Sequence, residues 1–379
     1  MKFLNRVASI TACVAMLLTA CSSIDQNEFD SADYGYRRKI LESRNEIVSS
    51  GVVVDDSFIY QTLGSGKTSY YILDVPTGKT NELGFISDFV MDTNARALFN
   101  NVLYFYVTVQ DGNSELCNVL YSLDLGKTEL AKVSEDHLSA PLLSLYSAPQ
   151  GVLALKIRNG SAYFELVASE VGSCEKMMIE PDQGETFVIA DVFDDCLFVF
   201  TYKNSPDQTD DFDYYLKCYS LDTYTVKRVI KLESIKPYIQ ESRIGTMELL
   251  GDYIYFENYS NLGLVCKISN NDVTKILEEE NLVLSNNLEE DTDNYQVFYI
   301  RRSNDIRLLD LSSGRMDSIT LPLPDDERIQ VIFSNQESVI VKAKKYTDSK
   351  EAKNVESVYL FTYSDFLKRL LSPSAEYSS

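Results

Sequence analysis

From about residue 47 the chain alternates apolar runs with short polar breaks, and the runs come in pairs. The first members are Phe58-Ile59-Tyr60, Val102-Leu103-Tyr104-Phe105-Tyr106, Val152-Leu153-Ala154-Leu155, Cys196-Leu197-Phe198-Val199-Phe200, Tyr253-Ile254-Tyr255-Phe256, Val297-Phe298-Tyr299-Ile300 and Ser338-Val339-Ile340-Val341. The second members end at positions 74, 124, 167, 222, 269, 310 and 362, so their spacings are 50, 43, 55, 47, 41 and 52. Continuous apolar runs of this length, rich in Tyr, Phe, Val and Ile, read as strands covered on both faces. Asp, Asn and Gly precede most first members, as in Asp55-Asp56, Asn100-Asn101, Asp194-Asp195 and Gly251-Asp252, and supply turn chemistry. Outer strands are predicted over 130–133, 226–232, 273–277 and 316–321. A strand-only repeat near 48 residues predicts a β-propeller, because one small sheet cannot bury both of its faces without stacking on neighbours.

The expected architecture is therefore all-β: a single β-propeller over 47–371, with seven blades of about four antiparallel strands. Residues 34–46, with Tyr36-Arg37-Arg38-Lys39-Ile40-Leu41, predict a short helix at the end of a polar tether. Residues 364–371 read as a helix capped by Ser364 or as the last outer strand. Ring closure is expected to pair that segment with residues near 46–54. Residues 372–379 read as a disordered tail.

Tyr121-Ser122-Leu123-Asp124, Tyr71-Ile72-Leu73-Asp74 and Tyr219-Ser220-Leu221-Asp222 resemble the Tyr-Trp-Thr-Asp strand of low-density-lipoprotein-receptor-type propellers, without its Trp. They resemble more closely the degenerate version found in bacterial lipoproteins. The resemblance spans about 47–363 and implies the fold; activity does not follow from it.

The first 20 residues read as a signal peptide. Lys2 and Arg6 form a basic start, and Val7 to Leu18 is an apolar stretch too short to span a membrane. Leu18-Thr19-Ala20-Cys21 resembles the bacterial lipobox. That resemblance implies cleavage before Cys21, lipidation of its sulfur, and membrane attachment by the lipid. Residues 21–46 would be the lipidated cysteine and its tether, and Ser22 is compatible with the outer membrane of a Gram-negative cell. In a Gram-positive cell the protein would lie on the outer face of the plasma membrane.

Composition narrows the partners. Lys plus Arg is 35 and Asp plus Glu is 57, a net charge of −22. Losing Lys2 and Arg6 with the leader removes two cations and no anion, which takes it to −24. Nucleic acid is excluded on that balance. No Walker A loop, Gly-x-Gly-x-x-Gly or Gly-x-Ser-x-Gly occurs, and His137 is the single histidine, in a segment read as a loop. Five cysteines remain after Cys13 and Cys21. Cys117, Cys218 and Cys266 fall in predicted strands, where they read as small buried hydrophobes. The loop with Asp207, Asp210, Asp211 and Asp213 has oxygen ligands suited to calcium, without an EF-hand order. It is the weak metal candidate beside the simpler reading as a solvated acidic loop. Tyr104, Tyr106, Tyr253, Tyr255, Tyr295 and Tyr299 read as packing. Tyr202, Tyr214, Tyr215, Tyr238 and Tyr259 read as a contact surface.

With an anchor, repeats and no catalytic constellation, the leading expectation is a lipid-anchored binding or scaffold module for protein partners at the cell envelope. The alternatives are a carboxylate-dependent glycosidase or lyase at the central channel, and a small-ligand or calcium sensor.

Overall fold

The computed structural model describes residues 37–43, 51–64, 67–86, 90–110, 116–137, 142–148, 151–158, 161–168, 176–179, 182–204, 212–223, 225–239, 244–270, 272–285, 295–321, 323–334, 338–345 and 356–362. They form seven four-stranded antiparallel sheets. Strand β1 is Arg37–Ser43. Blade 1 holds β2 to β5 (Val52–Val54, Ser57–Gly64, Lys67–Asp74, Lys79–Ile86), and blade 2 holds β6 to β9 (Val90–Phe99, Val102–Gln110, Leu116–Asp124, Glu129–His137). Blade 3 holds β10 to β13 (Leu142–Ala148, Gly151–Arg158, Ser161–Ala168, Lys176–Ile179), and blade 4 holds β14 to β17 (Glu185–Phe193, Cys196–Asn204, Phe212–Ser220, Val226–Lys231). One helical turn, α1 (Lys236–Ile239), leads to blade 5, which holds β18 to β21 (Ile244–Leu250, Tyr253–Asn258, Leu262–Ile268, Val273–Glu280). Blade 6 holds β22 to β25 (Leu282–Leu284, Tyr295–Ile300, Asp305–Asp310, Met316–Thr320). Blade 7 holds β26 to β28 (Glu327–Ser334, Ser338–Lys345, Glu356–Thr362) and takes β1 as its fourth strand. The chain is a seven-bladed β-propeller.

All seven predicted pairs are present, as the two middle strands of each blade. The predicted outer strands correspond to β9, β17, β21 and β25. The turns between the first two strands of a blade need left-handed backbone, and Asp55, Asn100, Asn101, Asp194 and Gly251 all take positive φ there. The same turns tie the blade together. Val75 N–H donates to Asp56 O at 2.8 Å, Leu125 to Asn101 O at 3.2 Å, Leu221 to Asp195 O at 2.8 Å and Ile268 to Asp252 O at 2.7 Å.

The aspartate ending the third strand is a turn cap. Asp124 Oδ1 accepts from the N–H groups of Gly126 (3.0 Å) and Lys127 (3.1 Å). Asp310 Oδ1 does so from Ser312 (2.9 Å) and Ser313 (3.1 Å). In blade 4 that position belongs to Ser220, which pairs with the first residue of β15 as Asp124 pairs with the first residue of β7. Asp222 therefore lies two residues beyond the motif it resembles in sequence.

Neighbouring blades pack through aromatic rings. Phe58 meets Phe333 across blades 1 and 7 with centroids 5.1 Å apart, Tyr70 meets Phe105 at 5.2 Å, and Tyr255 meets Phe298 at 5.6 Å. This packing accounts for the Tyr and Phe enrichment in a chain without Trp.

Three expectations need correction. The predicted helix over 34–46 contains β1, which extends along the free edge of β28 with Arg38 opposite Leu360; an available sheet edge overrides a weak local helix preference. Ring closure runs through 37–43, inside the segment read as tether, while Val52–Val54 from the expected partner segment forms the innermost strand of blade 1. His137, read as a loop residue, ends β9 opposite Cys117. Residues 364–379 lie outside the described residues.

Candidate functional site: the central channel

The innermost strands, β2, β6, β10, β14, β18, β22 and β26, all contribute to one cavity of about 910 Å³. Its polar lining is not uniform. Blades 4 and 5 supply Asp191, Glu248 and Glu257, whereas blades 6, 7 and 2 supply Arg301, Arg302, Lys342 and Arg96.

Strand register places the acids. Glu248 of β18 lies opposite Tyr255 of β19, and Thr246 lies opposite Glu257, so these four share one sheet face. Met247, Leu249 and Phe256, on the other face, pack in the core with Phe200 and Tyr214 of blade 4. Asp191 on β14 bridges the blades: its Oδ1 accepts Val192 N–H at 2.8 Å and its Oδ2 accepts Leu249 N–H at 2.7 Å. Tyr255 donates its hydroxyl proton to Leu282 O at 2.7 Å, which fixes blade 5 against blade 6.

The basic rim is held by backbone. Arg301 N–H donates to Asn281 O at 2.9 Å, Arg302 N–H to Ile329 O at 3.2 Å, and Ile329 N–H to Ser303 O at 3.1 Å. Arg302 sits at φ 63°, a left-handed position rarely taken by a long side chain. The Arg301 guanidinium lies 3.0 Å from Glu257 and donates to Asn261 Oδ1 at 3.1 Å. Across the channel Arg96 donates to Gly51 O at 2.9 Å.

Glu248 differs from its neighbours. It makes no hydrogen bond or ion pair to the described residues, and its side chain is accessible to the channel's own solvent while protein surrounds the channel. That enclosure, reinforced by the negative charges of Asp191 and Glu257, pushes its carboxyl up to about 8. Burial also raises Glu257, against the opposing pull of Arg301. Burial raises Tyr299 to about 12 and lifts Tyr255 and Tyr146 well above the ordinary phenol range. The channel wall thus combines a carboxyl that holds its proton near neutrality with cations contributed by other blades.

The residues singled out in the sequence lie elsewhere. Cys21, Asp207, Asp210 and Asp211 fall outside the described residues. Asp213 is buried in β16, with Lys231 Nζ 3.1 Å from its Oδ1. Among the described residues no group of three His, Cys, Asp or Glu side chains is placed to hold a metal ion, and no helix is long and apolar enough to cross a membrane. Of the tyrosines read as a contact surface, Tyr214 is buried in the core and Tyr259 is 73% exposed. Cys117, Cys218 and Cys266 are buried, as expected of small hydrophobes.

Sequence reasoning missed every charged channel residue. The available signal was a charge inside an apolar stretch just before a turn, as in Val188-Ile189-Ala190-Asp191-Val192 and Met247-Glu248-Leu249-Leu250.

No family model matches the chain. No curated protein matches it either. Among solved structures, the β-propeller domain of the Trilobed protease from Pyrococcus furiosus is similar at TM-score 0.52 and 10% identity, over 84% of this chain and 93% of that one. That domain is described as having an open velcro topology, whereas here β1 pairs with β28. The RRP9 WD40 repeats are similar at TM-score 0.51 and 12% identity, over 88% and 99%. A prolyl endopeptidase is matched over 85% of this chain but 48% of its own length, at TM-score 0.49 and 10% identity, so this chain spans about half of that protein. At these identities the similarity establishes the fold alone.

Proposed function

We propose that this chain is a lipid-anchored, extracytoplasmic β-propeller that binds a small polar ligand in its central channel. The observation that carries the ligand reading is Glu248, a carboxyl without a partner among the described residues inside a cavity of about 910 Å³. Ligand pockets typically measure about 300–1,000 Å³ and orient their ligand with a few polar groups. The anchor rests on Leu18-Thr19-Ala20-Cys21. Labelling of cells making the full chain with a palmitate analogue tests it: the wild type is expected to take up the label, and Cys21→Ser to take up none. A wild-type chain that carries no label would sink the anchor. For the channel, a thermal-shift screen of polar metabolites compares wild type with Thr246→Trp, which puts a bulky ring on the Glu248 wall of the cavity. Hits that stabilise both proteins equally do not bind against that wall. Turnover of a hit would convert the ligand site into an active site, with Glu248 as the proton donor.

A second reading, a docking module for a protein partner, is favoured by Tyr259 at 73% exposure and by Val226 and Val229, exposed on the outermost strand of blade 4. Such edges and aromatic tips suit strand addition or loop contact. Cross-linking in membranes tests it: loss of a cross-linked partner on Tyr259→Ser or Val229→Lys supports docking, and an unchanged pattern removes it.

A further inference from the structure

Within this cavity Arg301 and Glu257 pair at 3.0 Å. Glu248 and Arg302 line the same cavity and do not. Neither makes a side-chain hydrogen bond or ion pair with the described residues. Their supports hold them on different blades. Glu248 is fixed by its place on β18 opposite Tyr255. Arg302 is fixed at the junction of blades 6 and 7 by its N–H bond to Ile329 O. The rest of the lining repeats this division, with acids on blades 4 and 5 and cations on blades 6, 7 and 2.

We propose that the channel ligand is a dipolar molecule carrying an ammonium and a carboxylate, the ammonium held by Glu248 and the carboxylate by Arg302. This rests on the channel being a ligand site. An uncharged ligand would leave Arg302 without a counter-charge, an anion would face the acids Asp191 and Glu257 on one wall, and a cation would face Arg301, Arg302 and Lys342 on the other. A molecule with both ends charged satisfies both, and a guanidinium is well shaped for a carboxylate. The cavity is large enough for a short peptide with free ends or an amino-acid conjugate.

Proton linkage gives the proposal a second readout. The groups facing Glu248 are Asp191 from β14, Glu257 and Tyr255 from β19, Tyr299 from β23, Arg301 from the turn after it, and Tyr146 from β10. Arg301 is engaged by Glu257, so the two acids dominate at Glu248 and the empty site favours its protonated form at neutral pH. An arriving ammonium favours the carboxylate, so binding expels a proton to buffer.

The test is titration calorimetry on the full-length chain in detergent. The probes are alanyl-alanine and longer free-ended oligoalanines, their N-acetyl forms, their C-terminal amides, and maltose as an uncharged control. Free-ended probes are expected to bind, and each singly blocked form to bind about tenfold more weakly or worse. Glu248→Gln should abolish the penalty for N-acetylation, and Arg302→Gln the penalty for amidation. Heats at pH 7 should vary with the ionisation enthalpy of the buffer in wild type and not in Glu248→Gln. Equal binding of free and blocked peptides, or failure of every free-ended probe to bind, overturns the proposal. Maltose binding that Thr246→Trp abolishes and that neither charge substitution alters would overturn the dipolar ligand while sparing the channel. Peptide binding that survives both Thr246→Trp and the paired change Glu248→Gln with Arg302→Gln would overturn the channel reading itself. The melting temperature of each variant separates loss of binding from loss of fold.

Discussion

Asp191 Oδ2 accepts the backbone N–H of Leu249 at 2.7 Å, so a channel carboxylate on blade 4 pins the innermost strand of blade 5. The residue before Leu249 is Glu248. One aspartate therefore sets both the position of that strand and part of the field at its free carboxyl. Asp191→Asn keeps one carbonyl acceptor and puts an NH₂ where the other acceptor was. We expect a loss of about 1–3 kcal/mol in stability, measured by denaturant unfolding. The apparent pKa of Glu248 should also fall, followed by carboxyl NMR, because a like charge is removed.

Glu248 links stability to pH. Its folded-state pKa is raised to about 8, above the ordinary value near 4.5. Between those values the folded chain holds a proton that the unfolded chain releases, so stability falls as pH rises through that window and levels off above it. Glu248→Gln should match wild type in melting temperature near pH 4.5 and exceed it at pH 8 to 9. Identical pH profiles for the two proteins would contradict the raised carboxyl.

Lys217 is a buried cation serving two acids. Its side chain is 3% exposed, and its Nζ contacts Asp182 at 2.6 Å and the buried carboxylate of Glu185. Lys217→Ala strands Glu185 without a partner, at a cost of about 3–5 kcal/mol. The paired change Lys217→Met with Glu185→Leu should recover much of that loss. Chemical denaturation at pH 7 distinguishes the two.

Gly263 marks a close approach between blades 5 and 6. A Cβ there would lie 2.7 Å from both the carbonyl oxygen and the Cβ of Leu282. The same carbonyl accepts the Tyr255 hydroxyl. Gly263→Ala should destabilise the fold by about 1–3 kcal/mol through overpacking. It should also perturb the Glu248 wall, read as a shift in any channel-ligand affinity.

Removal of β1 tests the ring closure. Six residue pairs join it to β28, whose Tyr359 and Phe361 belong to the core of the last blades. A chain lacking 37–43 exposes a sheet edge. It should lose several degrees in melting temperature and form higher oligomers in light scattering. A monomer with unchanged melting would show that the ring closes without this strand.

The blades were legible because their middle strands are covered on both faces and their turns need Asp, Asn or Gly. Val102 to Val109 and Asn100-Asn101 show both signals. The innermost strands were not legible. Val52–Val54 and Leu282–Leu284 are three residues long, and β14 and β18 interrupt their apolar pattern with Asp191 and Glu248. Facing a solvent-filled channel erases the hydrophobic run by which a strand is recognised. The segments that build the candidate site are for that reason the ones the pattern hides.

The sequence by itself determined the strand-only repeat, the seven-fold count and the turn chemistry, since each depends on residues near one another in the chain. Its first 21 residues also carry the proposed anchor. Only the tertiary structure decided that 37–43 closes the ring and that Ser220 takes the turn position of Asp124. It also decided which seven charged residues, among the many along the chain, share one cavity. Bringing Arg96, Asp191, Glu248, Glu257, Arg301, Arg302 and Lys342 together requires the closed ring, because these residues come from five blades. Charges far apart in sequence meet only when long-range packing places them, and no local pattern encodes that meeting.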